Sequence, residues 1–198
     1  MNEYKLMLPP FEYKDFRGLS KKQAEEYFQW YIGQTDLRIR QLWAYIQSTG
    51  KNNFSCEYTP ESLVGLWEWF EPHIYLEEKN SEDFLMELSK TPEWLHSSIP
   101  KEEFTTMTLA LIVDISFYFA KTFIMRNPNI VWGYFTKPKN EVSVNMPVLL
   151  GFKSNMKLDP RRIVSVCARK SYRESNPNRL FDIYNVWTGY IAGNVSEC

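Results

Sequence analysis

The sequence predicts an α+β fold, mostly α-helical, with helices packed around a central buried helix at about 101–126 and a small antiparallel hairpin or sheet at about 130–152. Three observations carry this reading. The run from Leu109 to Ala120 is apolar nearly all round, the pattern of a helix covered on every side. Helix start and stop signals recur on both sides of it. The stretch 130–152 breaks into short β-prone runs divided by turn residues.

The elements follow in order. Residues 1–19 carry Pro9-Pro10 and the aromatic alternation Phe11, Tyr13, Phe16; the prolines forbid a helix, so this segment reads as an extended arm over a single domain spanning 1–198. Ser20 and Gln23 stand at capping-box spacing and predict a helix from Lys21 to about Ile32. Gly33 interrupts it. Thr35 is placed to cap a second helix from Asp36 to about Ser48, with Leu37, Leu42, Tyr45 and Ile46 on one side and Gly50 as its stop. After a polar loop at 51–58, Thr59-Pro60-Glu61 opens a helix carrying Leu63, Leu66, Trp67 and Phe70 and ending near Pro72. Ser81 is placed to cap a short helix through Leu88, and Thr91-Pro92-Glu93 starts another turn or two.

The central helix ends at Asn127-Pro128-Asn129. Asp114 and Lys121 interrupt its apolar run, and Thr105, Thr106 and Thr108 flank it. A membrane span needs about 20 mostly apolar residues, so this helix reads as a protein core. Leu111, Ile115, Phe117 and Tyr118 are expected to be buried on it. Short strands are expected at 130–136, 142–144 and 148–152. Asp159-Pro160 opens a helix to about Arg173, with Ile163, Val166 and Cys167 inward. Asn176-Pro177-Asn178 separates it from a last helix carrying Leu180, Ile183, Tyr184 and Trp187.

Composition bounds the function. The 198 residues hold 16% aromatics and a net charge of −1; the aromatics promise a well-filled core, and the charge argues against a dedicated nucleic-acid binder. Cys56, Cys167 and Cys198 are odd in number and lack a CxxC pair, which suits reduced cytoplasmic thiols. The first residues lack the apolar core of a signal peptide, so the sequon at Asn194-Val195-Ser196 reads as chance. His73 and His96 show no metal-binding spacing, and no metal or cofactor is expected. No nucleophile elbow or phosphate-binding glycine loop is present.

Two features remain. Asp114 breaks the most apolar helix, with Tyr118 at i+4 and Lys121 at i+7 on the same side. A buried carboxylate must be paired or hydrogen-bonded; Arg38 and Arg40 are the candidate partners, and a functional pocket near Asp114 is the alternative. The second feature is charge layout. Residues 57–103 hold twelve acids against Lys79, Lys90 and Lys101, a net −9, whereas 153–179 hold eight bases against Asp159 and Glu174, a net +6. Glu61, Glu68 and Glu71 can share an outer helical face, with Trp69 and Tyr75 as aromatic anchors for a basic protein partner.

The segments Asp114–Ala120, Trp132 with Thr136–Lys139, Asn145–Phe152 and Leu180–Trp187 together resemble a group of small uncharacterised bacterial proteins, chiefly of Firmicutes and Bacteroidetes. Some of these look like the immunity proteins that accompany polymorphic toxins. The resemblance covers roughly 105–190. Where that group often has an acid, this chain has Lys121. What the resemblance implies is a non-enzymatic cytoplasmic protein that binds and neutralises a toxin. The alternatives from the residues themselves are an enzyme or small-ligand domain with a non-standard pocket near Asp114, and a nucleic-acid contact through 153–179.

Overall fold

The computed structural model describes residues 4–50 and 54–191; Cys198 and the 194–196 sequon lie outside them. The order of elements is α1 (Lys21–Gly33), α2 (Thr35–Ser48), α3 (Ser62–Phe70), β1 (Leu76–Glu78), α4 (Ser81–Lys90), β2 (Glu102–Phe104), α5 (Thr106–Arg126), β3 (Val131–Gly133), β4 (Val148–Leu150), α6 (Pro160–Arg173) and α7 (Arg179–Thr188). The strands form two antiparallel pairs, β1 with β2 and β3 with β4. The fold is a mostly helical α+β one with α5 at its centre, flanked chiefly by α2 and α6, while α3 packs on α7.

Local chemistry places most boundaries. The Ser20–Gln23 capping box forms in both directions. Asp159 caps α6 by accepting from the Arg162 N–H at 3.0 Å, with Pro160 at the first helical position, where its missing N–H costs nothing. Thr59 accepts from the Ser62 N–H at 3.2 Å, one turn ahead of α3.

Several expectations are corrected. The central helix begins at Thr106, capped by Thr105. Residues 102–104 instead form β2, because their backbone pairs with 76–78. Thr35 does not cap α2: its hydroxyl donates back to the Ile32 carbonyl at 2.7 Å, and Gln34 alone separates α1 from α2. Asn80, not Ser81, caps α4. Residues 142–144 lie in a turn, with only 131–133 and 148–150 pairing as strands. Leu37 points outward while Arg38 and Ile39 are buried, and Val166 is exposed while Val164, Cys167 and Ala168 face in.

The core is aromatic. Leu111, Ile115, Phe117 and Tyr118 are all buried on α5, and Phe117 packs 4.5 Å from the Tyr31 ring centre. The helix has the length and composition of a membrane span, yet 72% of its apolar window is inside the fold. Its apolar surface is therefore already covered by protein, as in a core helix.

Candidate functional site

Asp114 is fully buried. Arg38 meets it with a two-pronged ion pair, Nε to Oδ1 at 2.7 Å and Nη2 to Oδ2 at 2.8 Å, the fork geometry that suits a carboxylate best. The Tyr4 hydroxyl donates to the same carboxylate. Arg38 continues outward, donating to the Lys5 carbonyl at 2.7 Å, where Gln41 also donates. Burial pushes the Asp114 carboxyl up to about 6, although the Arg38 and Tyr4 donors pull the other way. This pair therefore fastens α5 to α2 and to the tip of the arm. It leaves no unpartnered oxygen for acid–base work.

Tyr118 and Lys121 do not join Asp114 in one pocket. The Tyr118 hydroxyl lies 2.6 Å from the Ser62 hydroxyl and accepts from the Tyr58 N–H at 3.1 Å. Lys121 pairs with Asp36 and sits 5.2 Å from the Tyr58 ring centre. The three share one side of α5 but engage separate neighbours.

The acidic region divides in two. On and beside α3, Glu61 and Glu68 are exposed, but Glu71, just past its end, turns inward to accept from Ser175 Oγ at 2.6 Å and the Asn176 N–H at 2.8 Å. Trp69 is 2% exposed and donates to Thr49 Oγ1 at 2.9 Å, so it anchors the core and is no surface anchor. Tyr75 is exposed. The second part is the excursion from Tyr75 to Phe104, which holds β1, α4 and β2. Neither α4 nor the 3₁₀ segment Glu93–Ser98 buries a residue. Leu85, Met86 and Trp94 are exposed at 63%, 52% and 77%. Eight acids stand here against three lysines, a net −5. The strand register sets Glu77 opposite Glu103 and Glu78 opposite Glu102, like charges that destabilise a strand pair.

The basic stretch disperses. Lys157 pairs with Glu141, Arg169 lies 4.3 Å from the Phe104 ring centre, and Arg179 donates to Ser171 Oγ at 2.9 Å and the Glu174 carbonyl at 2.7 Å. Arg162 and Lys170 line a cleft of about 410 Å³ between α6 and α7, with Asp182 opposite. Cys167 lies on this cleft, 4% exposed, and burial pushes its thiol up to about 11. A thiol so rarely ionised is a poor nucleophile. Cys167 should therefore react with a thiol-directed disulfide reagent at pH 8 only when the chain unfolds; rapid native labelling, located by peptide mapping, would contradict this.

A second space, an open groove of about 240 Å³, lies beside the arm. Sequence reasoning missed it because five separate segments line it. The one available signal was that Leu109 and Val113 of the apolar run stand four apart; they, unlike their neighbours, are not buried. Among the described residues no group of three or more His, Cys, Asp or Glu could hold a metal ion. Comparisons with protein-family models, curated proteins and solved structures give no match to this chain.

Proposed function

We propose that the chain is a non-enzymatic cytoplasmic binding protein whose 75–104 excursion docks a basic protein partner, and that the partner is a toxin it neutralises. The observation that carries this reading is an acidic excursion that buries almost nothing of its own while exposing Leu85, Met86, Trp94 and Tyr75. Exposed apolar groups rimmed by charge mark interaction surfaces. Trp and Tyr dominate interface energetics, and the acids would steer a cationic partner and lose that effect in salt. The cross-strand acid pairs fit the same reading, since a basic partner relieves the repulsion between them. The resemblance to immunity proteins supplies the toxin.

The test is capture from native cells, with the captured protein identified and its association rate measured against salt. A basic partner whose association slows with salt, and which is lost with Trp94→Ala and with Glu82, Asp83 and Glu87 changed to Lys, is the expected result. Retention of the same partner, at the same salt dependence, by the charge-reversed variant would sink the docking surface.

A further inference from the structure

We propose that the cleft between α6 and α7 binds a medium-chain aliphatic carboxylate, its head group met by Lys170 beside Arg179 and its chain laid along the apolar floor toward Trp187. This goes beyond the docking surface and does not depend on it.

The cleft exists because two helices that face each other stay apart. Residues 174–178 alone join α6 to α7, and the far ends of both helices reach the β4 region through the Leu149–Leu158 and Phe152–Ile191 bridges. The two therefore run back along each other as a helical hairpin. Its connector is drawn toward α3, where Glu71 accepts from Ser175 and Asn176, and α7 itself packs on α3. The apolar residues on the facing sides do not close over one another. Ile163 and Val166 of α6 and Ile183 and Trp187 of α7 line the same space, with the buried Cys167 at its floor. Val166 stays 48% exposed, and the other three stay half-buried. The volume of about 410 Å³ falls in the roughly 300–1,000 Å³ range of small-molecule sites.

The charges along the cleft are uneven. Arg162 and Lys157 stand at the start of α6, but acids answer them there: Glu141 pairs with Lys157 at 3.1 Å, and Asp159 lines the same end. Asp182 lines the α7 wall between Arg179 and Trp187. An anion is repelled from both places. The other end is different. Arg179 donates to Ser171 Oγ at 2.9 Å, which sets it beside Lys170. Glu71 offsets part of the Arg179 charge. Among the described residues no ion pair holds Lys170. It is exposed, so the fold does not need a counter-ion for it, and its head is able to turn over the cleft. Burial pushes the Cys167 thiol up while Arg179 and Lys170 pull against it, so both charges are felt at the floor.

This layout selects the ligand. One whole cation and part of a second match a singly charged carboxylate better than a phosphate, which carries nearly two charges at pH 7. From Lys170 the apolar residues lead back along the cleft to Ile163 and Trp187. Eight helical positions separate 170 from 162, about 12 Å along the axis, which gives room for an extended chain of about eight carbons. Covering Val166, Ile183 and Trp187 with methylenes removes apolar surface from water, and this supplies most of the affinity. The head group then fixes the direction in which the chain lies.

The probe is octanoate, compared with neutral 1-octanol and with the short butanoate, and binding is followed by calorimetry and by NMR of the Trp187 indole. Octanoate should bind saturably and shift that signal. 1-Octanol should bind about 5- to 10-fold more weakly, the scale of a partly exposed ion pair. Butanoate should bind at least about 10-fold more weakly, having lost most of the buried chain. Lys170→Gln, at an exposed position, should bring octanoate down to the affinity of the alcohol, whereas Arg173→Gln, on the same helix but outside the cleft, should not change it. Val166→Trp should fill the cleft and abolish binding. Absence of saturable octanoate binding, equal affinity for 1-octanol, or full affinity in either Lys170→Gln or Val166→Trp would each overturn the proposal.

Discussion

Replacing Arg38 by Ala should cost about 3–5 kcal/mol, because it leaves the Asp114 carboxylate buried and unpaired. Asp114→Asn should also destabilise, since it leaves the buried Arg38 without a counter-charge and offers one oxygen where Arg38 now uses two. The pair Arg38→Met with Asp114→Leu should recover most of the Arg38 loss, as apolar replacements of buried ion pairs often do. Chemical denaturation of the four proteins reads this directly through the midpoint, provided the slope is unchanged. A cost near zero for Arg38→Ala would mean that water reaches Asp114 and that the clasp is not a structural one. The outcome matters for function as well, because Asp114 was the one carboxylate that the sequence set apart as a candidate active group. The hydrogen bonds it accepts place it in the framework.

Phe117→Ala should cost a similar amount, about 3–5 kcal/mol. The ring is fully buried and meets Tyr31 at 4.5 Å and Trp132 at 6.4 Å between centres. These neighbours come from α1 and β3, two separately anchored elements, so they cannot both move in to fill the gap. Leu111→Ala should fall within about 2–5 kcal/mol for the same reason. Thermal unfolding checks both. A shift near zero would place α5 at the surface.

How far the sequence could be read depended on the range of the interaction. The Ser20–Gln23 box and the Asp159-Pro160 start are decided within three residues, so they were legible. The β2 strand was not. Glu102-Glu103-Phe104 has little β propensity and becomes a strand only because 76–78 lies beside it. Val142-Ser143-Val144 has that propensity but meets no partner strand, and it folds as a turn that sinks Val144 into the core. The inward choice of Arg38 over Leu37 reverses a hydrophobicity reading, and it depends on a carboxylate 76 residues away. The acidic surface was legible as charge, but not its division. Glu71 and Trp69 sit in the same helical pattern as Glu61 and Glu68, and only the packing of α3 on α7 and against Thr49 shows that they are occupied. The groove beside the arm left only the Leu109–Val113 spacing as a trace, because no local pattern records where five segments leave a gap.

The arm has a consequence for how the chain assembles. Its clasps join Tyr4 to Asp114, Phe16 to Asn145 and Arg17 to Lys139. During synthesis, these clasps therefore wait for more than a hundred later residues before they can close. Contacts so distant in sequence raise the loop-closure cost and slow folding. Tyr13 and Phe16 can meet Tyr27 of α1 early, but the clasps on α5 and the 139–145 turn close only later, and the interval before they close is the period in which a nascent chain is most open to self-association.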